Sequence, residues 1–348
     1  NVWYDATHTY GGTGDGIALD GTELQELHTI DGQATFATLT INNPGGTDSV
    51  AVAVKPGNAF HITDSLQLKQ GIFDIGKNML VLEEDAAMVE GNAFASNNMI
   101  QTNISFTDAG IKKYFPAISS TTEFTYPIGS AGKYTPVTFN ITSKDAGGSI
   151  RVKAADEIHP TIINDNEPCN ELVDTANVLK YHWLLEAENI SGFNASANMQ
   201  YYEEDYQLES TDYTVADYIT ARLLLGSTQW NKYDPTSFDE TNHLLSFDFN
   251  GTDDAGITGD YTAGVEDQAG NCEGAIPDEV PTYVTVSSGD WTNAGIWDTH
   301  PESGGTVPAG GPKGSAVIIE HEVNLPRNYI TSYKTTIDSA GTDTDGLL

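Results

Sequence analysis

Apolar and polar positions alternate with a period of two along most of the chain. Between residues 37 and 85 the stretches ATLTIN, SVAVAVK, AFHITDSLQLKQG, FDIG and MLVLEED follow one another, with Gly or Asn at several of the corners. A strand sends successive side chains to opposite faces, so each stretch predicts a strand with one buried face. The inward positions are Leu39 and Ile41, Val52 and Val54, Leu66 and Leu68, Phe73 and Ile75, and Leu80 and Leu82. Short strands at fairly regular spacing predict a β-solenoid, in which each coil covers the apolar face of the next. An antiparallel meander gives a similar pattern and is the competing arrangement.

The texture changes near residues 115–130, where YFPAISSTTEFTYPIGSAGKYTPVTFNI brings prolines and many hydroxyls. Beyond it come longer, more widely spaced strands: SIRVKAA, VLKYHWLLEA, ANMQYYEEDY, YITARLLL and HLLSFDFNG. Turn clusters separate them, the signature of a Greek-key β-sandwich. VADYITARLLLG has helical length, but its Tyr, Ile and Thr favour a strand. VEDQAGNCEGAIPDEVPT reads as an acidic linker, after which strand sequence resumes at YVTVSSGDW. The expected fold is therefore all-β. A β-solenoid-like module spans 1–115, a β-sandwich 116–266, a linker 267–282, and the start of a second solenoid module 283–348.

Charge narrows the partners. Fifty Asp plus Glu against 15 Lys plus Arg give a net charge of −35. A field of that sign repels phosphate backbones and anionic lipid heads, so neither nucleic acid nor membrane insertion is expected. The charge suits a soluble surface and divalent cations. No apolar run is long enough for a membrane-spanning helix. Asn1 is expected to begin either a processed chain or a slice of a longer one.

The two ends share a phrase. VWYDATHTYGG begins at Val2 and IWDTHPESGG at Ile296. Trp3 matches Trp297, His28 matches His321 and Ile30 matches Val323 at nearly one offset, and Ile41 matches Ile337 after a three-residue insertion. The expectation is a tandem repeat cut out of phase, with an incomplete module at the C-terminal end. Val317, Ile319, Val323 and Ile337 would then need apolar cover from a neighbouring repeat or subunit, head to tail.

SSGDWTNAGIWDTHPESGGTVPAGGPKGSAVIIEHEVNL resembles the opening of glycine-rich solenoid modules in large secreted proteins of the Bacteroidetes. The positions that carry the likeness are Trp291, Trp297, Val307-Pro308, Gly314, Val317-Ile318-Ile319 and His321-Glu322-Val323. FTYPIGSAGKYTPVTFNI, LKYHWLLEA and GDYTAG are similar to later segments of the same proteins. The resemblance implies a tandem repeat unit of a cell-surface protein exported by type IX secretion, adhesin-like or filament-like. It marks architecture rather than chemistry.

Candidate chemistry is sparse. No nucleophile elbow, phosphate loop, H-E-x-x-H or Ser-His-Asp context is present, so no catalytic residue is assigned and an enzyme is not expected. Cys169 and Cys272 are the two cysteines, too few for a small disulfide scaffold and not in a C-x-x-C pair. They are either two unrelated thiols or one long-range disulfide; the disulfide, fastening the linker to the sandwich, is the expectation. Asp and Asn bunch in NDNEP, GTDDAG and SAGTDTDG, which makes Asp165, Glu167, Asp253, Asp254, Asp343 and Asp345 the candidate calcium ligands. The resemblance also suggests O-glycosylation in Asp-Ser/Thr-apolar triplets, at Ser49, Ser65, Thr175 and Ser339. Trp3, Trp291 and Trp297 are expected to plug a solenoid end rather than stack on sugars, and His28 and His321 to be hydrogen-bonded strand residues. The expected function is a structural or adhesive repeat of a secreted, cell-surface protein or filament. The alternative is a glycan-binding module of a secreted polysaccharide-degrading enzyme.

Overall fold

The computed structural model describes residues 2–4, 16–29, 33–44, 52–54, 59–102, 108–130, 132–163, 177–208, 213–233, 237–266, 276, 282–299, 307, 311–312, 316–325 and 334–337. The fold is all-β, with two short helices among these residues, α1 (Pro160–Ile163) and α2 (Asp254–Ile257). The chain divides into two compact units. The first comprises 1–156, 181–205 and 239–260, the second 157–180, 206–238 and 261–348.

The first unit begins with strands that alternate between two parallel ladders. β1 (Val2–Tyr4) and β2 (Gly16–Leu19) open the series, followed by β3 (Gln25–Thr29) and β4 (Gln33–Asn42), then β5 (Val52–Val54) and β6 (Ala59–Gln70), then β7 (Phe73–Gly76) and β8 (Met79–Leu82). β9 (Ala87–Glu90) lies along the second half of β6, and β10 (Ile100–Thr102) and β11 (Gly110–Phe115) complete the series. One ladder runs β1-β3-β5-β7-β10 and the other β2-β4-β6-β8-β11, with every pairing parallel. This arrangement differs from a meander, whose neighbours are antiparallel and consecutive.

Parallel registry stacks like positions. Ile17, Leu39 and Leu66 fall in one column and Leu19, Ile41 and Leu68 in the next. Phe36, Ile62 and Leu82 form another. The expected inward residues Leu39, Ile41, Leu66, Leu68, Phe73, Ile75, Leu80 and Leu82 are all fully buried. Each contributes about 1.5–3 kcal/mol of burial against exposure. The side chains of Val52 and Val54 lie outside the described residues. Alternation along β6 is interrupted at Asp64-Ser65, where the register with β4 shifts by one residue; the shift lets Phe36 of β4 stand opposite Ile62 and Leu39 opposite Leu66, although Phe36 and Leu39 are an odd number of positions apart.

The sheet does not end at the expected module boundary after residue 115. β11 pairs in parallel with β8 on one edge and antiparallel with β16 (Gly148–Ala155) on the other. Between them lie β12 (Thr122–Tyr126), β13 (Ile128–Ser130), which adds to β10 in parallel, β14 (Lys133–Tyr134) and β15 (Val137–Ser143). β17 (His182–Glu188) continues the sheet beyond β16. β12, β15, β18 (Phe193–Gln200) and β22 (Leu244–Thr252) form a separate antiparallel sheet. That sheet faces β11 and β16: Phe115 meets Phe124 edge to face at 5.5 Å, and the Tyr126 hydroxyl donates to the Ile150 carbonyl at 2.9 Å. Phe124, Tyr126, Phe139, Phe193 and Phe249 continue the aromatic core. One sheet thus carries both a parallel ladder, β2 to β11, and the antiparallel strands β16 and β17.

In the second unit, β19 (Tyr218–Leu224) neighbours β20 (Asn231–Lys232) and β23 (Gly259–Val265), while β21 (Phe238–Asp239) is a two-residue strand. The segment expected to be a strand at VADYITARLLL is β19, after a short 3-10 turn. Ile162, Val178, Ala221, Leu223, Trp230 and Ile276 form its core. Ile276, within the expected linker, pairs with Glu266 and is fully buried, because an isoleucine gains more from that apolar site than from water. The rest of 267–281 lies outside the described residues.

The C-terminal part of the second unit again alternates between ladders. β24 (Thr282–Thr285), β27 (Ala316–Ile319) and β29 (Lys334–Ile337) are parallel, as are β25 (Gly289–Asp290) and β28 (Val323–Asn324). The expected equivalence of the two ends is not kept in their pairing. β1 is parallel to β3 and sets Trp3 opposite His28, whereas β26 (Trp297–Thr299) is antiparallel to β24 and sets Trp297 opposite Thr285. β24 precedes the shared phrase and takes the pairing edge of β26. Nor is outside cover needed for Val317: it is buried among Tyr283, Trp291, Ile296 and Trp297, with Val307, Ile319 and Val323 packed against them. The side chain of Ile337 is outside the described residues.

Candidate functional site

The sequence-predicted site residues divide sharply. Cys169, Cys272, Asp165, Glu167, Asp343, Asp345, Ser49, Thr175 and Ser339 lie outside the described residues, as do the side chains of Trp3 and His28. Asp253 and Asp254 are described, and both are engaged by backbone. Asp253 caps α2, accepting from the Gly256 amide at 3.3 Å. Asp254 accepts from the Asn189 and Ile190 amides at 2.8 and 2.6 Å, holding a turn in which Asn189 has φ +60°. Among the described residues no group of three or more His, Cys, Asp or Glu is placed to hold a metal ion. Ser65 is buried at the β6 break, its hydroxyl 3.1 Å from that of Thr38. A glycan there requires the hydroxyl to leave this contact.

Trp291 and Trp297 pack edge to face at 4.9 Å and are 2% and 4% exposed. The Trp291 indole N–H donates to the Pro312 carbonyl and that of Trp297 to the Trp291 carbonyl, at 3.0 and 2.9 Å. Both edges and faces are thus spent inside the C-terminal cluster. His321 is exposed, its Nδ1 3.2 Å from the Thr285 hydroxyl. That buried hydroxyl also accepts from the Glu320 amide at 2.8 Å and fixes the corner between β27 and β28.

Three polar groupings escaped the sequence reading, all in the first unit. The first is Lys113. Along GIKKYF, Ile111, Lys113 and Phe115 face inward. Lys113 follows Leu82 in registry, so the column Phe36, Ile62, Leu82 ends on an amine. Its Nζ donates to the carbonyls of Glu83, Glu84 and Ala86 at 2.6, 2.8 and 2.9 Å, closing the turn after β8. Paired lysines inside an otherwise alternating strand were the available signal: only one of the two can face water.

The second is a charged row across the outer face. Lys112, Arg151 and Glu186 stand directly opposite one another on β11, β16 and β17. Lys112 reaches Glu188 at 2.6 Å, Lys153 reaches Glu186 at 2.9 Å, and Arg151 also pairs with Glu186. Four of the chain's few cations therefore sit on two adjacent strands, β11 and β16, and the row is neutralised locally rather than presented as a basic patch.

The third grouping gathers Lys133, Asp156 and Asp205. Lys133 lies in β14, Asp156 directly after β16, and Asp205 closes a 3-10 turn after β18. Lys133 Nζ is 2.7 Å from Asp156 Oδ1 and 2.5 Å from Asp205 Oδ1. Burial works against the Lys133 charge, but the hydrogen bonds to the two aspartates overcome it and hold the amine above the usual lysine range. Burial pushes the Asp205 carboxyl up, against the pull of Lys133.

These shifts predict a stability profile. Burial lowers Lys113 and Lys153 to about 8, from an ordinary value of 10.5. In that interval the unfolded chain binds more protons than the folded one, so stability is expected to rise with pH from about 8 towards 10. Tyr126, Tyr134, Tyr181 and Tyr233 are all held above the ordinary tyrosine value of 10 by burial. Their contribution is present below pH 10 and lost as pH rises further, so the profile should turn down. Urea midpoints at fixed ionic strength check this. A profile that falls steadily from pH 8 contradicts it.

Comparison with known proteins finds no matching family model, no matching curated protein and no matching solved structure.

Proposed function

We propose that the chain is a structural, adhesive repeat of a secreted, cell-surface protein, whose work is to extend and present a surface, and that successive repeats or copies join head to tail. The observation that carries the reading is the open end of the two parallel ladders. β1 and β2 each stand first in their sheet, with one strand neighbour among the described residues. An edge strand offers unpaired amides and carbonyls to another chain, and a parallel ladder extends by adding one more winding. In the C-terminal ladder β29 stands at an edge in the same way. The rival reading, a glycan-binding module, calls for presented aromatic faces. Trp183, Trp230, Trp291 and Trp297 are 0%, 5%, 2% and 4% exposed, which favours the structural reading. Calcium and O-linked sugar belong to this proposal at the candidate residues outside the described ones.

Sedimentation velocity over a concentration series tests the joining. The intact chain is expected to associate. Ala18→Pro, at an exposed position of the edge strand β2, is expected to weaken that association, since proline disfavours the addition of a further strand to an edge. A chain that stays monomeric at every concentration, while a glycan array shows selective binding, overturns the proposal in favour of the rival.

A further inference from the structure

The Lys133 grouping is built for more than an ion pair. The Asp205 side chain is 5% exposed, and its Oδ1 takes the Lys133 contact at 2.5 Å. Its other oxygen, Oδ2, is buried and has no hydrogen-bond partner. A buried carboxylate held as a structural anion ordinarily has both oxygens satisfied. Here one carboxyl is pressed against an amine with its second oxygen idle, while another carboxylate, Asp156, holds the same amine at 2.7 Å. Beside it Tyr181, Thr135 and Trp183 are fully buried, the Tyr181 and Thr135 hydroxyls 2.5 Å apart and the Trp183 indole donating to the Thr135 carbonyl at 3.1 Å, while the Lys133 and Asp156 side chains are 21% and 20% exposed.

The geometry points to a covalent modification site: Lys133 and Asp205 condense to an intramolecular isopeptide bond, with Asp156 carrying the protons. Asp156 takes one proton from the ammonium and delivers it to Asp205 Oδ2, leaving a neutral amine against a neutral carboxyl. The nitrogen lone pair attacks Asp205 Cγ and the N–C bond forms. Asp156 then takes a second proton from nitrogen and gives it to the Oδ2 hydroxyl, which departs as water when its C–O bond breaks. The ammonium and carboxylate become one amide and one water, without oxidant or reductant, and Asp156 ends as it began. Burial of Asp205 favours the neutral acid that the attack needs. The Asp156 and Asp205 hydrogen bonds, which favour the ammonium, make the neutral amine a minor species. Condensation drains a minor species, because an amide once formed hydrolyses very slowly at neutral pH. The bond would fasten β14 to the turn after β18, and it stands independently of what the chain joins.

Intact mass spectrometry of the purified, denatured chain decides the matter. The expected mass is lower than the sequence mass by one water. A tryptic digest should contain a branched peptide joining the Lys133 and Asp205 segments, with no cleavage after Lys133. Lys133→Arg and Asp156→Asn should each return the full mass and abolish the branched peptide. A wild-type chain at full sequence mass overturns the proposal. So does a one-water loss without the branched peptide, which would place the dehydration at an Asp-Gly step instead.

Discussion

Replacing Lys113 with methionine is expected to lower the stability of the first unit by about 3–5 kcal/mol, although the side chain is close to lysine in length and is more apolar. The loss comes from the acceptors. Three carbonyls of the turn after β8, those of Glu83, Glu84 and Ala86, converge on one Nζ. Methionine offers no donor, so all three acceptors lose their common partner, and the bond to Ala86 is the buried one of the three. Burying more apolar surface returns part of this, since Lys113 ends the Phe36, Ile62, Leu82 column, but only about 1–2 kcal/mol. Lys112→Met next to it is the control. That side chain lies on the other face and makes an ion pair whose partner Glu188 is largely exposed, so its loss should cost less than about 1 kcal/mol. Urea unfolding of the two variants side by side checks the contrast. Equal midpoints would mean that the cage does not bind its lysine.

Gly110→Ala is expected to cost about 3–4 kcal/mol and to loosen the junction between the windings and the sandwich. Gly110 starts β11 with φ +74°, in the left-handed region that a Cβ disfavours. A Cβ there would lie 2.3 Å from the Val152 carbonyl oxygen on β16. Backbone on both sides cannot yield as a flexible side-chain tip would. β11 would have to move off β16, with which it pairs from Ile111 to Phe115. Gly132→Ala is the comparison: φ is +85° but nothing lies within 4 Å of the added carbon, so only the conformational cost of about 1–2 kcal/mol should appear. Thermal or urea unfolding that ranks Gly110→Ala no lower than Gly132→Ala would contradict the close approach.

What was legible in the sequence was what a period of two can encode. Leu39 and Ile41, or Leu80 and Leu82, announce an inward face because pleating fixes the side-chain direction whatever the partner strand. The partner itself is not in the pattern. β11 reads as any alternating strand, yet it is parallel to β8 and antiparallel to β16, and the sheet runs through the position where the composition changes. The repeated phrase at Trp3 and Trp297 does not carry its pairing with it for the same reason: local residue types recur, while pairing is decided by which strand lies beside them. Lys133, Asp156 and Asp205 are far apart in sequence and meet through β14, β16 and the turn after β18, so no motif connects them. Lys113 was readable in principle, since two adjacent lysines in a strand cannot share one face.

Native-state amide exchange on the intact chain tests most directly whether one body runs from the parallel windings through β11 into the sandwich. Amides of β6 and β8 should exchange with the same opening free energy and the same denaturant dependence as those of β15, β16 and β18, because the shared sheet makes them one cooperative unit. Exchange of β6 and β8 through a separate, cheaper opening, while β15, β16 and β18 stay protected, would show two modules that merely touch at β11 and would contradict it.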